Sequence, residues 1–393
     1  MGGSASFLGA RLVGLASLRH DAVRRLWGTV GVPGETAIWE GVGSRLAGLQ
    51  ALRAFAAYLV VIDHALLALV AGSVLPDHVK AVAYRLGDAG VFIFFVISGF
   101  IIARSGQQDR DIDGAVRFFM RRLRRIVPLY WLATFVYVAR LWLDGNMPSV
   151  ADLTRSLLFL PYFNDAQMLR PVLAQGWTLN FEMYFYLLFA ACLVLGRRSG
   201  MVVLGAMLIV PVLYGALAGW QEPGGDAAQL FLSSPVVVFF LLGIAVQSFE
   251  RRLRPVSSAW MFTGTVVIIG LAAYLIWGSA ADDVFFCAMM VLAPLAVVLV
   301  ITAKPQPQGG LWSALVKAGD ASYATYLTHG FVVGPLAALF VTFGLDGAWV
   351  AIFLVVCVVA ASRFGWLSYR FVERPLSELL RPSRERLAAE RAN

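Results

Sequence analysis

Ten stretches of this chain are apolar over lengths that read as membrane spans, each of which needs about 20 residues. They cover residues 51–75, 91–103, 126–143, 177–195, 201–219, 230–247, 259–277, 284–302, 322–344 and 348–369. The second is short and approaches a spanning length when extended back to Leu86. Helices apolar on every side belong in lipid or deep in protein. The expected fold class is therefore all-α: a polytopic transmembrane helix bundle of about ten spans.

The polar connections orient the spans. Arg104, Arg110, Arg117, Arg121, Arg122, Arg124 and Arg125 crowd the link between the second and third. Later alternate links hold Arg197 and Arg198, then Arg251, Arg252 and Arg254, then Lys304 and Lys317, and the C-terminal tail adds Arg374, Arg381, Arg384 and Arg386. The intervening loops carry Asp144, Asp152, Asp165, Glu222, Asp226, Asp282, Asp283 and Asp346, with Lys80, Arg85, Arg155 and Arg170 as exceptions. By the positive-inside rule both termini are cytoplasmic, which demands an even number of spans. The loop 146–176 exceeds a simple turn, and its apolar run 153–163 is too short to span. A re-entrant or surface helix roofing a cavity fits that length.

Composition agrees with a membrane protein: 59% of the 393 residues are hydrophobic and 14% are charged. Soluble chains sit nearer one quarter charged. The formal net charge of +8 would suggest nucleic acid in a soluble protein. Here the cations lie in loops and set topology, so no nucleic-acid partner is expected. Cys192, Cys287 and Cys357 fall inside apolar runs without zinc-like spacing, and no metal site is expected. Residues 1–44 read as a basic tail or an interfacial helix, with Leu12, Leu15, Leu18, Val23 and Leu26 able to share one face. One membrane domain follows over 45–375, then a charged cytoplasmic tail over 376–393.

The chemistry-bearing residues are ionisable groups inside spans, where desolvation is costly and function is the usual reason for them. Two of the four histidines, His64 and His329, qualify. Arg53 lies eleven residues before His64, about 20° past three full helical turns and roughly 16 Å along the axis. The two therefore share a face, with the cation at the cytoplasmic mouth and the imidazole near mid-membrane. That order suits an anionic donor entering from the cytoplasm and a general base at depth. A buried hydrogen-bonded histidine with an orientation-setting arginine fits the spacing as well. Asp63 adjoins His64, but neighbours on a helix do not ordinarily face each other.

The Arg121, Arg122, Arg124 and Arg125 cluster precedes the third span. Its forks match phosphate oxygens, while topology and attraction to anionic lipid explain it more simply. Glu182 lies about 7 Å into the fourth span, among Trp177, Phe181, Tyr184, Phe185 and Tyr186, where it can bind sugar hydroxyls or pair with an arginine. His329, with Tyr323 and Tyr326, is placed to line the same cavity or to join an interhelical network. No Walker loop, dinucleotide fingerprint or nucleophile elbow is present.

In order along the chain stand Leu49-Gln50-Ala51-Leu52-Arg53 with His64, then Gly90-Val91-Phe92-Ile93-Phe94-Phe95-Val96-Ile97-Ser98-Gly99-Phe100, then Arg121-Arg122-Leu123-Arg124-Arg125-Ile126-Val127-Pro128. Trp177-Thr178-Leu179 with Glu182, Ser322-Tyr323 with Tyr326 and His329, and Glu373-Arg374-Pro375 complete the set. Together they resemble the acyltransferase-3 family of integral membrane O-acyltransferases, over about 45 to 375. The resemblance implies transfer of an acyl group, by default acetyl, to a sugar hydroxyl of an exported or cell-surface polysaccharide or its lipid-linked precursor. It implies acyl-coenzyme A as co-substrate rather than a bound cofactor. Its phosphates would fall to Arg53, Arg122, Arg124 and Arg125, and its catalytic work to His64, Glu182 and His329. Partners are then acyl-coenzyme A, a saccharide acceptor and membrane lipid. The location implied is a cell membrane, the inner one in a Gram-negative bacterium. A transporter for a lipid-linked saccharide is the rival from another class, though no broken helices recur at matching positions of two halves.

Overall fold

The computed structural model describes residues 35–106, 111–219, 226–278, 281–303 and 309–380, and among these it is helical without any strand. The first helix, α1, covers Glu35–Ala71, α2 Val79–Ser105 and α3 Ile112–Leu143. A short α4 (Val150–Leu157) sits in the long loop before α5 (Trp177–Leu193) and α6 (Arg197–Leu217). Then come α7 (Ala227–Leu232), α8 (Val238–Phe249), α9 (Ser258–Trp277), α10 (Asp282–Thr302) and α11 (Gly310–Asp320). The chain closes with α12 (Ser322–Thr328), α13 (Gly330–Thr342), α14 (Trp349–Ser368) and, after a π-helical turn at Tyr369–Glu373, α15 (Arg374–Leu379). Most of the expected N-terminal and C-terminal tails, 1–34 and 381–393, lie outside the described residues.

Seven helical segments are long and apolar enough to cross a membrane, and α12 with α13 makes an eighth if that pair, bent by 48°, is one span. The fourth expected span, α5, has 17 residues and misses this length, as does the apolar part of α9, Thr263–Trp277. Outward-facing side chains such as Val202, Leu213, Leu217 and Trp277 are large, apolar and exposed. Such a surface suits contact with lipid, and the protein is a multi-pass membrane protein.

The centre of the bundle is α2, packed against α1 on one side and α8 on the other. Small residues let these backbones touch. A Cβ added at Gly99 would press into the carbonyl oxygen of Phe240, and one at Gly243 would press into that of Val96. Around this contact Phe92 stacks on Phe239 at 4.2 Å, and Phe95 and Phe185 both stack on Phe240 at 4.4 Å. Arg104 closes one end of the α2–α8 pair with a 2.7 Å ion pair to Glu250. At the other end Arg85 reaches Asp282 at 3.1 Å and the Gly278 carbonyl at 2.8 Å. Arg85 is one of the cations that break the alternation of loop charge. Its partner is one of the loop aspartates, so the pair adds no net charge on that side.

Two elements differ from the sequence expectation in ways that matter below. The third span does not begin at 126: α3 starts at Ile112, capped by Asp111 accepting from the Gly114 amide at 2.6 Å. The arginine cluster is thus inside a helix rather than ahead of one, because arginine is a good helix former whose apolar stem packs along neighbouring side chains. The ninth span is not continuous either. It bends at His329, between α12 and α13.

Candidate active site

Placing the arginine cluster on a helix divides it. Residues two apart point to nearly opposite faces, while residues three apart share one. Arg122 and Arg125 accordingly face an enclosed chamber between α2, α3, α5 and α12. Arg124 does not line that chamber. It turns with Arg121 toward an outer cleft walled by Asp320, Glu373 and Arg374, and Arg125 borders both spaces. The Arg122-Leu123-Arg124 element therefore does not act as one fork.

The chamber has an accessible volume of about 80 Å³. Arg53 enters it from α1, and its guanidinium donates to the Gln50 side-chain oxygen at 3.2 Å. The Gln50 amide in turn donates to Asp320 at 2.7 Å, which ties α1 to the end of α11. Burial pushes the Asp320 carboxyl above the ordinary carboxylate range, with Arg53 and Arg125 opposing that shift. Arg122 donates to Ser105 at 2.9 Å and lies over the rings of Phe118 and Tyr186, at 5.5 and 5.7 Å from their centroids. Three cations thus converge on one cavity.

Opposite them stands Glu182, one turn before Tyr186 on α5. Ser98 of α2 donates to the Glu182 carboxylate at 2.8 Å, and Tyr186 donates to the same oxygen. Two hydroxyls from two helices hold this carboxylate in a fixed position. Sequence reasoning singled out Glu182 and set Tyr186 among the aromatics around it, but gave Ser98 no role of its own. The available signal was that Ser98 is the lone hydroxyl in the apolar run 91–103.

His64 and His329 are brought together, but not in the chamber. Their rings meet edge to face with centroids 4.6 Å apart. His329, at the bend between α12 and α13, is fully buried, whereas the His64 side chain is 35% exposed. Nδ1 of His64 lies 3.0 Å from the Val60 carbonyl and 3.2 Å from Asp63. Neighbours on a helix do not ordinarily face each other, yet these two meet: the His64 ring turns back toward Val60, and the Asp63 carboxylate lies between it and Gly87 of α2. His329 places Nδ1 2.6 Å from the Tyr326 carbonyl, and its Nε2 is buried without a partner among the described residues, as is Oδ1 of Asp63. Such atoms cost about 1–3 kcal/mol each, and folded proteins retain few of them. Tyr326 connects the two sites. Its ring lines the chamber, its carbonyl faces His329, and its hydroxyl donates to the Gln175 carbonyl at 3.0 Å and lies 2.8 Å from that of Thr178.

The long loop folds back against α3. Tyr130 donates to the Ser156 carbonyl at 3.1 Å and Trp131 to that of Leu157 at 3.0 Å. Gln175, at its far end, lies so close to Gly330 that a Cβ there would collide with the amide. The loop thereby reaches the bend that carries His329.

The described residues thus set convergent arginines, a clamped carboxylate and a histidine pair among apolar helices. The chain belongs to the acyltransferase-3 family: that family's acyltransferase domain matches residues 46–364, and the protein is an acyltransferase. It is similar to the exopolysaccharide production protein ExoZ of Rhizobium meliloti, with 35% identity over 304 residues, 75% of this chain and 90% of that one. It is 27% identical to the acyltransferase MdmB of Streptomyces mycarofaciens over 383 residues, 86% of this chain and 92% of the relative. A putative peptidoglycan O-acetyltransferase of Bacillus subtilis, YrhL, is 25% identical over 84% of this chain and 55% of its own length. No solved structure matches the chain.

Proposed function

We propose that this protein moves an acetyl group from cytoplasmic acyl-coenzyme A to a sugar hydroxyl of an exported or cell-surface polysaccharide, or of its lipid-linked precursor. The observation that carries the proposal is the convergence of Arg53, Arg122 and Arg125 on one chamber that also holds Glu182. An anionic donor is the natural occupant of three half-buried guanidiniums, which would hold its phosphates while its thioester reaches past Tyr326 toward the histidine pair. In this assignment the bundle crosses the membrane ten times, both termini are cytoplasmic, and the arginine-rich end is the donor's entrance.

His64 is the proposed general base. Its Nδ1 proton is committed to the Val60 carbonyl and Asp63, which leaves Nε2 with a free lone pair. The acceptor oxygen loses its proton to Nε2 and forms the new ester bond as the carbon–sulfur bond breaks. The thiolate then takes up the proton. His329 packs against the base and fixes its ring, and Glu182, clamped by Ser98 and Tyr186, positions the acceptor. Relatives whose names state polysaccharide production or peptidoglycan O-acetylation support a glycan acceptor.

The test is thiol release from acetyl-coenzyme A by the detergent-purified chain, with and without glycan acceptors. Release that requires an acceptor and disappears in His64→Ala supports the assignment. Acceptor-dependent release of unchanged rate in folded His64→Ala protein removes His64 from the mechanism.

A further inference from the structure

A third space lies open on the flank of the bundle, between α3 and α5, with an accessible volume of about 780 Å³. It extends from Phe119 and Arg124 to Trp131, about 18 Å along α3, and the 157–161 segment closes its far end. Its walls are apolar, with Leu123, Val127, Met183 and Leu187 among them. Two polar groups interrupt them. Arg124 makes no hydrogen bond or ion pair among the described residues. Asn180 is 5% exposed, and its side-chain oxygen has no partner. A wall that met only bulk hydrocarbon would gain nothing from the unpaired buried amide of Asn180, and Arg124 puts a cation at the groove's arginine-rich end.

The groove is the first of three linked spaces. Arg124 borders both the groove and the outer cleft, and Arg125 borders both that cleft and the chamber. We infer that the groove seats the hydrocarbon chain of the acceptor, a long-chain lipid phosphate or diphosphate bearing the saccharide. Its anionic head pairs with Arg124, and the saccharide extends through the cleft to the chamber. Charge complementarity selects this occupant: apolar walls take the chain, and the one unpaired cation at their edge takes a phosphate. Continuity with the reaction chamber favours a lipid that carries substrate over one that only surrounds the protein. The inference rests on the acyl-transfer proposal and adds the physical form of the acceptor and its side entrance.

The probe is a diazirine-bearing farnesyl phosphate, added to the full chain in phosphatidylcholine nanodiscs and photolysed. Label is expected in peptides from 119–131 and 180–187. It should fall at least about tenfold in Arg124→Ala, the scale of one lost charge-assisted hydrogen bond, and in Met183→Trp, which fills the groove. Size-exclusion elution and thermal unfolding show whether each variant is folded. Unlabelled farnesyl phosphate should displace the probe, and equal phosphatidylglycerol should not. Label scattered around the bundle, equal displacement by phosphatidylglycerol, or undiminished labelling of folded Met183→Trp would overturn the inference. Failure of the acyl-transfer proposal is read separately, as absent thiol release by the wild-type chain whatever the labelling.

Discussion

The imidazoles of His64 and His329 meet edge to face, and each commits Nδ1 to a backbone carbonyl in its own helix, that of Val60 for one and Tyr326 for the other. Both rings are thereby set in the same tautomer, with Nε2 as the basic nitrogen. The pair is asymmetric in access, since only His64 is partly exposed. The outer imidazole can meet substrate while the inner one supports it.

That asymmetry predicts different kinetics for the two histidines. His64→Ala should lower kcat by about 10²–10⁴-fold, the range for loss of a general base. His329→Asn should lower kcat less and leave the donor KM near wild type. Steady-state thiol release at saturating donor measures both. A larger loss in His329→Asn than in His64→Ala would reverse the roles.

The tether from Arg53 through Gln50 to Asp320 predicts a binding defect without a chemical one. Gln50→Ala frees the guanidinium, and loss of one hydrogen bond should raise the donor KM about 2–12-fold while kcat holds. Titration of acetyl-coenzyme A against initial rate separates the two constants.

Glu182 carries two hydroxyl donors, so its replacements should not be equivalent. Glu182→Gln keeps an acceptor oxygen and the fold, and tests the charge alone. Glu182→Ala strands Ser98 and Tyr186 and should cost about 1–3 kcal/mol of stability, read as earlier thermal unfolding in detergent. Equal stability of the two variants would mean the clamp contributes nothing to the fold.

Gly99→Val places a branched side chain against the Phe240 carbonyl. Overpacking of this kind typically costs about 1–3 kcal/mol, and contact with backbone leaves little room to relax. The variant should elute as aggregate in detergent, whereas Gly205→Ala, where a Cβ meets nothing, should elute as wild type.

The all-helical class and most spans follow from apolar runs alone, because lipid forces every backbone group into an intrahelical bond. The arginine cluster is less legible. Hydropathy stops at Ile126, but helix propensity and capping extend α3 back to Ile112, and only that extension shows that Arg122 pairs in space with Arg125 rather than Arg124. The shared face of Arg53 and His64 is visible in their spacing. Their separation into a chamber and a histidine pair is not, because it depends on where α12 bends against α1. Asn180 looks unremarkable in a sequence of aromatic neighbours, and its significance appears only when the groove beside it is seen to be empty of partners for its amide.

Backbone contact at Gly99 and Gly243 also constrains how this protein can work over time. Machines that rock between two openings slide one helical block past another, and here the central helix is keyed to its neighbour by peptide groups with no side chain to act as a bearing. The frame is therefore expected to turn over as a fixed mould. Two reactants that cannot wait for a door to swing need separate doors, one for the water-borne reactant and one for a reactant arriving sideways out of the lipid.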